Sequence, residues 1–301
     1  MEMNESKLGN RQKLIGVVFL APAVIYLLAF YGFPIVKNFV MSFQDYSPST
    51  FYTGEAPFVA FENYKAVMGT PLFGKVLLNT VIFTVGSLFG QFTIGLALAI
   101  FFNRTFKGAK VMRSLLLLPW LIPMIASSAI WRWILDKDSG VLNRALESIG
   151  ITSGDTGWLT SSSLALFSVI LVNIWIGIPF NTTILFGGLQ DIDQELYEAA
   201  AIDGANGFQR FRKITWPLLR PVVNVVLILG VVYTVKVLDL ILGLTGGGPA
   251  NATQTLATQS YRLSFTEFNF GQGAALSTLL VVLSVIFAAI YLRANRKSNL
   301  D

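Results

Sequence analysis

The residue types that perform most protein chemistry are missing from this chain. Its 301 residues contain neither His nor Cys, which removes the usual general base, proton shuttle, thiolate nucleophile and zinc ligand. No paired carboxylates fall inside an apolar run, so a membrane-embedded hydrolase has no acid and base to use. What remains is binding chemistry. Lys236 and Asp239 are the charges set well inside an apolar stretch, and at i, i+3 on a helix they share a face and can neutralise one another. Asn173, Trp175, Gly177, Pro179 and Asn181 fall close together in another such stretch. They combine two amides with a flat apolar ring, the mixture a sugar site needs. Gln91 and Tyr233 extend the polar set. Gly246, Gly247 and Gly248 invite a phosphate-loop reading, but no Gly-Lys-Ser/Thr follows. A glycine-rich exit turn is the better account, and no Walker motif occurs anywhere in the chain.

The elements that position these residues follow from composition. Hydrophobic residues make up 53% of the chain and charged residues 13%, against about a quarter charged in a soluble domain. Uncharged apolar windows long enough to cross a bilayer, about 20 residues each, predict six transmembrane helices at 14–34, 76–102, 114–135, 163–188, 219–243 and 273–293. The chain is therefore expected to be an all-α, multi-pass membrane protein. Pro119 and Pro123 should break the third helix, with Ser127 and Ser128 beyond them. Gly177 and Pro179 should kink the fourth and free carbonyls that need protein or water alongside. Counting about 1.5 Å per residue from Arg220 puts Lys236 roughly 24 Å up, in the outer third. A charge there lines a cavity or a substrate path, or snorkels to the surface. For each polar residue of helix four, interhelical packing is the competing account. Trp131 and Trp133 read as an outer aromatic belt.

Loop charge sets the orientation. The N-terminus, the second and fourth loops and the C-terminus together hold fourteen Lys and Arg against six in the alternate loops, so both termini are expected in the cytoplasm. The net charge of +5 then reads as topology rather than as a nucleic-acid surface. The first apolar run has a basic start and an Ala21-Pro22-Ala23 triplet of signal-peptidase type. The triplet lies only two turns in, which favours a retained helix. Glu2 replaces the glycine that myristoylation requires, and without Cys no other lipidation site exists.

The loop at 189–221 is long, polar and patterned. Asp191, Asp193 and Glu195 crowd a helix start, with Asp193 as N-cap. Glu198, Ala199, Ala200 and Ala201 propagate the helix, and Gly204 should end it in the left-handed conformation. A second short helix is expected at 208–215, with Pro217 and Pro221 opening the fifth span. The small alanines offer a smooth patch onto which another protein could close. A loop lying on the lipid headgroups is the plainer account.

The segment at 198–221, EAAAIDGANGFQRFRKITWPLLRP, resembles the coupling loop of permease subunits of binding-protein-dependent ABC importers. The match runs through Glu198, Ala199, Ala200, Asp203, Gly204 and Ala205, then Phe211, Ile214 and Pro217. TGGGPANATQTL at 245–256, the APAxxYL run from Ala21 and FENY at 61–64 are similar to the first permease of type-I, MetI-like carbohydrate importers. Asp193 departs from the proline common there. The resemblance implies a permease domain at 75–293 with its coupling loop at 189–221. The stretch at 1–74 precedes it and a cytoplasmic tail at 294–301 follows. It further implies a second homologous permease, two copies of an ATPase and an extracellular binding protein, all at the cell's inner membrane. The cargo would be a sugar, oligosaccharide or polyol derivative. Glu198 to Gly204 would dock on the ATPase. Without Walker motifs the chain itself would catalyse nothing and need no cofactor or metal. Gln91, Asn173, Trp175, Asn181, Tyr233, Lys236 and Asp239 would line the path. The rival is a stand-alone secondary transporter or channel, which calls for inverted repeats or an intramembrane carboxylate relay. Neither is visible.

Overall fold

A computed structural model describes residues 3–53, 55–152 and 154–298. The last three residues of the tail at 294–301 and Glu2 lie outside the described residues. The spans are α1 (Ile15–Met41), α2 (Pro71–Phe102), the bent pair α3 (Ala109–Leu121) and α4 (Met124–Ile134), α5 (Ala165–Gln190), α7 (Gly207–Val235) and α10, which begins at Phe270. Between them lie α6 (Gln194–Ile202), α8 (Asp239–Leu244) and α9 (Leu256–Phe265). Among the described residues five helices are long and apolar enough to cross a membrane, and α3 with α4 makes a sixth if the bent pair counts as one span.

Three boundaries differ from expectation. The first helix does not stop at 34 but continues to Met41 through a widened turn at Leu28–Gly32. Pro34 falls just after that turn, where its missing N–H costs little. The short helix expected at 208–215 is the start of α7, which is opened by a capping box. Asn206 accepts from the Gln209 amide at 2.9 Å, and the Gln209 side chain accepts from Asn206 N–H at 2.8 Å. A second widened turn at Phe211–Thr215 precedes Pro217 and gives its ring room, so the proline does not begin the helix. The fifth helix also fails to reach 243. It ends at Val235, and the chain runs three residues out of helix before α8.

By internal contacts the chain falls into two units. One comprises the described part of Met1–Val67 with Arg262–Thr278. None of the most apolar window of α1 is buried there. The turn after α1 is pinned by the FENY residues: Asn63 donates to the carbonyls of Ser42 and Gln44 at 3.1 and 2.9 Å, and Tyr64 shares a 2.7 Å hydrogen bond with Ser42. Asn38 bonds Ser277 and Thr278 in the same unit.

The other unit comprises Met68–Tyr261 with the described part of Leu279–Asp301. Its main packed pair is α2 against α5. A cluster of Ala99, Leu185, Leu189, Leu219, Val223 and Val226 joins α2, α5 and α7 at one end. At the other end Phe83, Val169, Val172 and Ile176 meet Leu135, Val237, Leu240, Ile241 and Leu244. Pro123 turns α4 by 96° away from α3, and α8 packs along α4. Side-chain bonds tie the glycine-rich turn down. Asn79 donates to the carbonyls of Asn251, Ala252 and Gln254 at 3.0 to 3.3 Å.

Because the native chain lacks Cys, single cysteines report its sidedness. Asp138→Cys, between α4 and α5, should react with an impermeant maleimide applied outside intact cells. Lys107→Cys, between α2 and α3, should react only after permeabilisation. The reverse pattern would invert the orientation read from loop charge.

Candidate functional site

Residues of α2, α3, α4, α5 and α7, with the segment between α7 and α8, enclose a cavity of about 540 Å³. Six of the seven residues assigned to a path by sequence line it: Gln91, Asn173, Asn181, Tyr233, Lys236 and Asp239. Trp175 does not. Its ring packs edge-on against Trp131, 5.5 Å away, beside the apolar cluster. Helical geometry separates them, since Asn173 and Gly177 are one turn apart whereas Trp175 lies about 200° around from Asn173. Trp131 is accordingly a packing residue as well as a neighbour of the exposed Trp133.

Close approach of α2 and α5 organises the floor. The Gln91 amide lies on the bare backbone of Gly177, in space that any Cβ would occupy. It donates to the Asn173 carbonyl at 2.9 Å. Asn181 donates back to the Gly177 carbonyl at 2.9 Å. Thr182 and Thr183 bond the carbonyls of Ile178 and Pro179. Proline at 179 deprives the Trp175 carbonyl of its helical donor. The Asn173 side-chain nitrogen has no hydrogen-bond partner although the residue is 4% exposed. Leaving such a donor unsatisfied costs about 1–3 kcal/mol, so this amide is poised for whatever enters.

One wall is aromatic. Tyr233 meets Phe180 edge to face at 5.9 Å, and Trp120 tilts against Phe180 at 6.2 Å. The sequence reading passed over Trp120 and Phe180. Neither carries a local signal, because only the fold brings three helices' aromatics together.

The Lys236–Asp239 pair needs correction. Both side chains line the cavity, but not as i, i+3 partners of one helix. Lys236 follows the last helical residue (φ −92°, ψ 6°), and Val237 N–H bonds Thr234 by a tightened turn at 3.1 Å. The two charges form no ion pair; among the described residues the ion pair is Arg262–Glu267. Lys236 instead sits 5.3 Å from the centre of the Tyr233 ring, within cation–π range.

A second cavity of about 640 Å³ is lined by Arg132, Asp136, Trp158 and the glycine-rich turn. Leu135 and Leu244 contribute to its wall, Ile176 and Val237 to that of the first. All four belong to one cluster, whose fully buried Leu240 and Ile241 line neither cavity. An apolar layer therefore lies between the two chambers.

The loop after α5 forms α6 with Asp193 at its N-cap position, though the Asp193 carboxylate makes no capping bond. The helix ends in paired bonds, Gly204 N–H to Ala201 O at 3.1 Å and Ala205 N–H to Ala200 O at 2.9 Å, a Schellman closure. Gly204 sits at φ +75°, and an added Cβ there would meet nothing within 4 Å. Its cost to a larger residue within this chain is backbone strain alone. Glu198, Ala199 and Asp203 are exposed, and Ala200 and Ala205 half-buried. Ile202, which the small-residue argument did not single out, is 88% exposed. It is a large apolar side chain left uncovered at the end of α6, the kind of surface a partner protein covers.

Residues 91–299 match the family described as binding-protein-dependent transport system inner membrane component. The chain belongs to that family. It is 36% identical to the trehalose/maltose transport system permease protein MalF of Thermococcus litoralis, over 97% of each chain. It is 35% identical to the sulfoquinovosyl glycerol transport system permease protein SmoG of Agrobacterium fabrum, over 97% of this chain and 93% of that one. Its fold superposes on a chain of a bacterial ABC transporter involved in the import of the acidic polysaccharide alginate, with TM-score 0.82 and 23% identity, covering 98% of this chain and 99% of the other. The permease is a multi-pass inner-membrane component of an ATP-driven importer, and is not itself catalytic.

The floor of the cavity gives a stability prediction. Gln91→Leu removes its bond to Asn173 and should destabilise the permease by about 1 kcal/mol. Gly177→Val, which evicts the amide and wedges α2 from α5, should cost about 1–3 kcal/mol. Thermal unfolding of the purified protein should rank them in that order below the parent; equal midpoints would mean that the contact is not tight.

Proposed function

We propose that this permease forms half of a path for a sugar, oligosaccharide or polyol derivative delivered by an extracellular binding protein. The observation that carries the reading is the 540 Å³ cavity, whose lining combines Asn173, with its unpartnered side-chain nitrogen, and the aromatic residues Trp120, Phe180 and Tyr233. Saccharides present hydroxyls at their edges and C–H groups on their faces, so amides and rings together suit them. The names of relatives point the same way, since trehalose/maltose and sulfoquinovosyl glycerol are both carbohydrate cargoes. Gln91, Asn181, Lys236 and Asp239 complete the polar lining, and Trp175 holds α4 against α5 behind it.

The domain carrying this work is 75–293. A second homologous permease supplies the other half of the path, and two ATPase subunits bind the paired coupling helices. Glu198, Ala199, Ala200, Asp203, Gly204 and Ala205 form the docking face, with Ile202 at its apolar centre. Closure of the ATPase pair moves α6, and α7 carries the motion to the break at 236–238. The apolar layer between the chambers then parts, and solute passes from the glycine-rich side to the Lys236 side.

Two variants test the halves of this reading separately. Asn173→Leu removes the free amide while keeping the number and branching of its heavy atoms. It should raise the apparent KM for uptake at least about tenfold, with co-purifying ATPase unchanged. Uptake at the parental KM would remove Asn173 from the path.

Gly204→Val places a β-branched residue at positive φ, at a cost of about 1–3 kcal/mol, and Glu198→Lys reverses a docking charge. Both should lose ATPase on affinity purification of the tagged permease, whereas Gly204→Asn, which tolerates that backbone, should keep it. Full ATPase recovery with normal uptake in the Val and Lys variants would end the coupling assignment.

A further inference from the structure

Beneath the coupling helix lies a smaller cavity of about 380 Å³, bounded by the end of α2, the start of α7 and the inner side of α6. Its polar lining is Arg104, Arg210, Asn103, Gln194, Tyr197 and Thr215. No Asp or Glu contributes to it. The acidic residues of the same loop, Asp191, Asp193, Glu195, Glu198 and Asp203, line other surface. Neither guanidinium belongs to an ion pair, since the pair among the described residues is Arg262–Glu267. Two cations that share a cavity without a counter-charge repel one another, and an anion between them relieves that repulsion. The rim is held in place, with Tyr197 and Thr215 joined by a 2.9 Å hydrogen bond across α6 and α7.

We propose that this cavity binds a phosphate group, with Arg104 and Arg210 as its two guanidinium forks and Gln194 and Asn103 as amide donors. Guanidinium matches phosphate in charge and in paired N–H geometry. Depth favours a lipid as the bearer. At 29 residues, α7 is about 43 Å long, against about 30 Å of hydrocarbon. The excess leaves turns of α7 outside the hydrocarbon, and its basic start, with Arg210, is at the end that loop charge puts on the cytoplasmic surface. Ile100, Leu189 and Phe211 supply an apolar side to the same cavity, suited to the carbons that follow a lipid phosphate. Gln194 and Tyr197 belong to α6, so an occupied cavity fastens the coupling helix to the ends of α2 and α7. Anion occupancy thereby sets how stiffly motion passes from α6 into the spans, whatever solute is carried.

The test uses the full permease in the complex with which it purifies, reconstituted in phosphatidylcholine with or without phosphatidylglycerol. Retained lipid is read by native mass spectrometry. The parent should retain phosphatidylglycerol over phosphatidylcholine by about tenfold or more. R104Q and R210Q should each reduce that preference, and the double variant should abolish it. K107Q, a basic residue of the neighbouring loop that does not line the cavity, should leave it intact. Inorganic phosphate added to lipid-stripped complex separates the two sources. If it raises the thermal midpoint of the parent but not of R104Q/R210Q, and no lipid preference exists, the site takes free phosphate, which still supports it. An R104Q/R210Q complex that retains phosphatidylglycerol like the parent, or a parent that responds to neither anion, overturns the proposal. Should the double variant not assemble, the single variants carry the same comparison.

Discussion

In hydrocarbon every backbone N–H and C=O must find its partner within the protein, and this permease is arranged around the few places where its helices let go. The chain leaves helix at Pro123, where α3 gives way to α4 at 96°, and again between Val235 and Asp239. Proline interrupts α5 at 179 without ending it. Each interruption lies beside residues that line the central cavity: Met124, Phe180 with Asn181, and Lys236 to Asp239. Elsewhere the described spans keep their helical course, through widened turns in α1 and α7 and past Pro22 and Pro221, which lie inside helix as Pro179 does.

These interruptions also create the cavity's chemistry. Had α7 continued to 243, Lys236 and Asp239 would have stacked on one face and neutralised one another. The break separates them along the wall of the chamber and leaves Lys236 over the Tyr233 ring. It also frees α8 to pack along α4, which places Leu240 and Ile241 between two chambers. Polar lining and apolar partition thus share one origin. At the other end of α7, the absence of a break matters as much. The widened turn at Phe211–Thr215 keeps α7 in one piece from Gly207 to Val235, and α6, set off by the turn at Gly204, is tied to it by the 2.9 Å Tyr197–Thr215 bond.

The sequence alone determined whatever depends on neighbours in the chain. Uncharged windows marked the membrane segments, because lipid excludes charge over any long stretch. Helix α6 was readable down to its final turn, because a helix start, an alanine run and a glycine at positive φ are local events. Six of the seven residues singled out from sequence share one cavity wall, because polar groups in apolar windows are costly and turn away from lipid.

Only the tertiary structure decided where periodicity meets a neighbour. Trp175 shares the polar stretch of α5 but turns to Trp131, since the face a helix presents is fixed by what packs against it. Trp120 and Phe180 gave no sign, because an aromatic wall drawn from separate helices has no spacing in sequence. The break after Val235 was hidden for a related reason. No proline or glycine marks it; the segment leaves helix where α8 can bury Leu240, Ile241 and Leu244 against α4 and α5. Apolar burial there outweighs the lost turn of helix, and no residue in the segment itself records that balance.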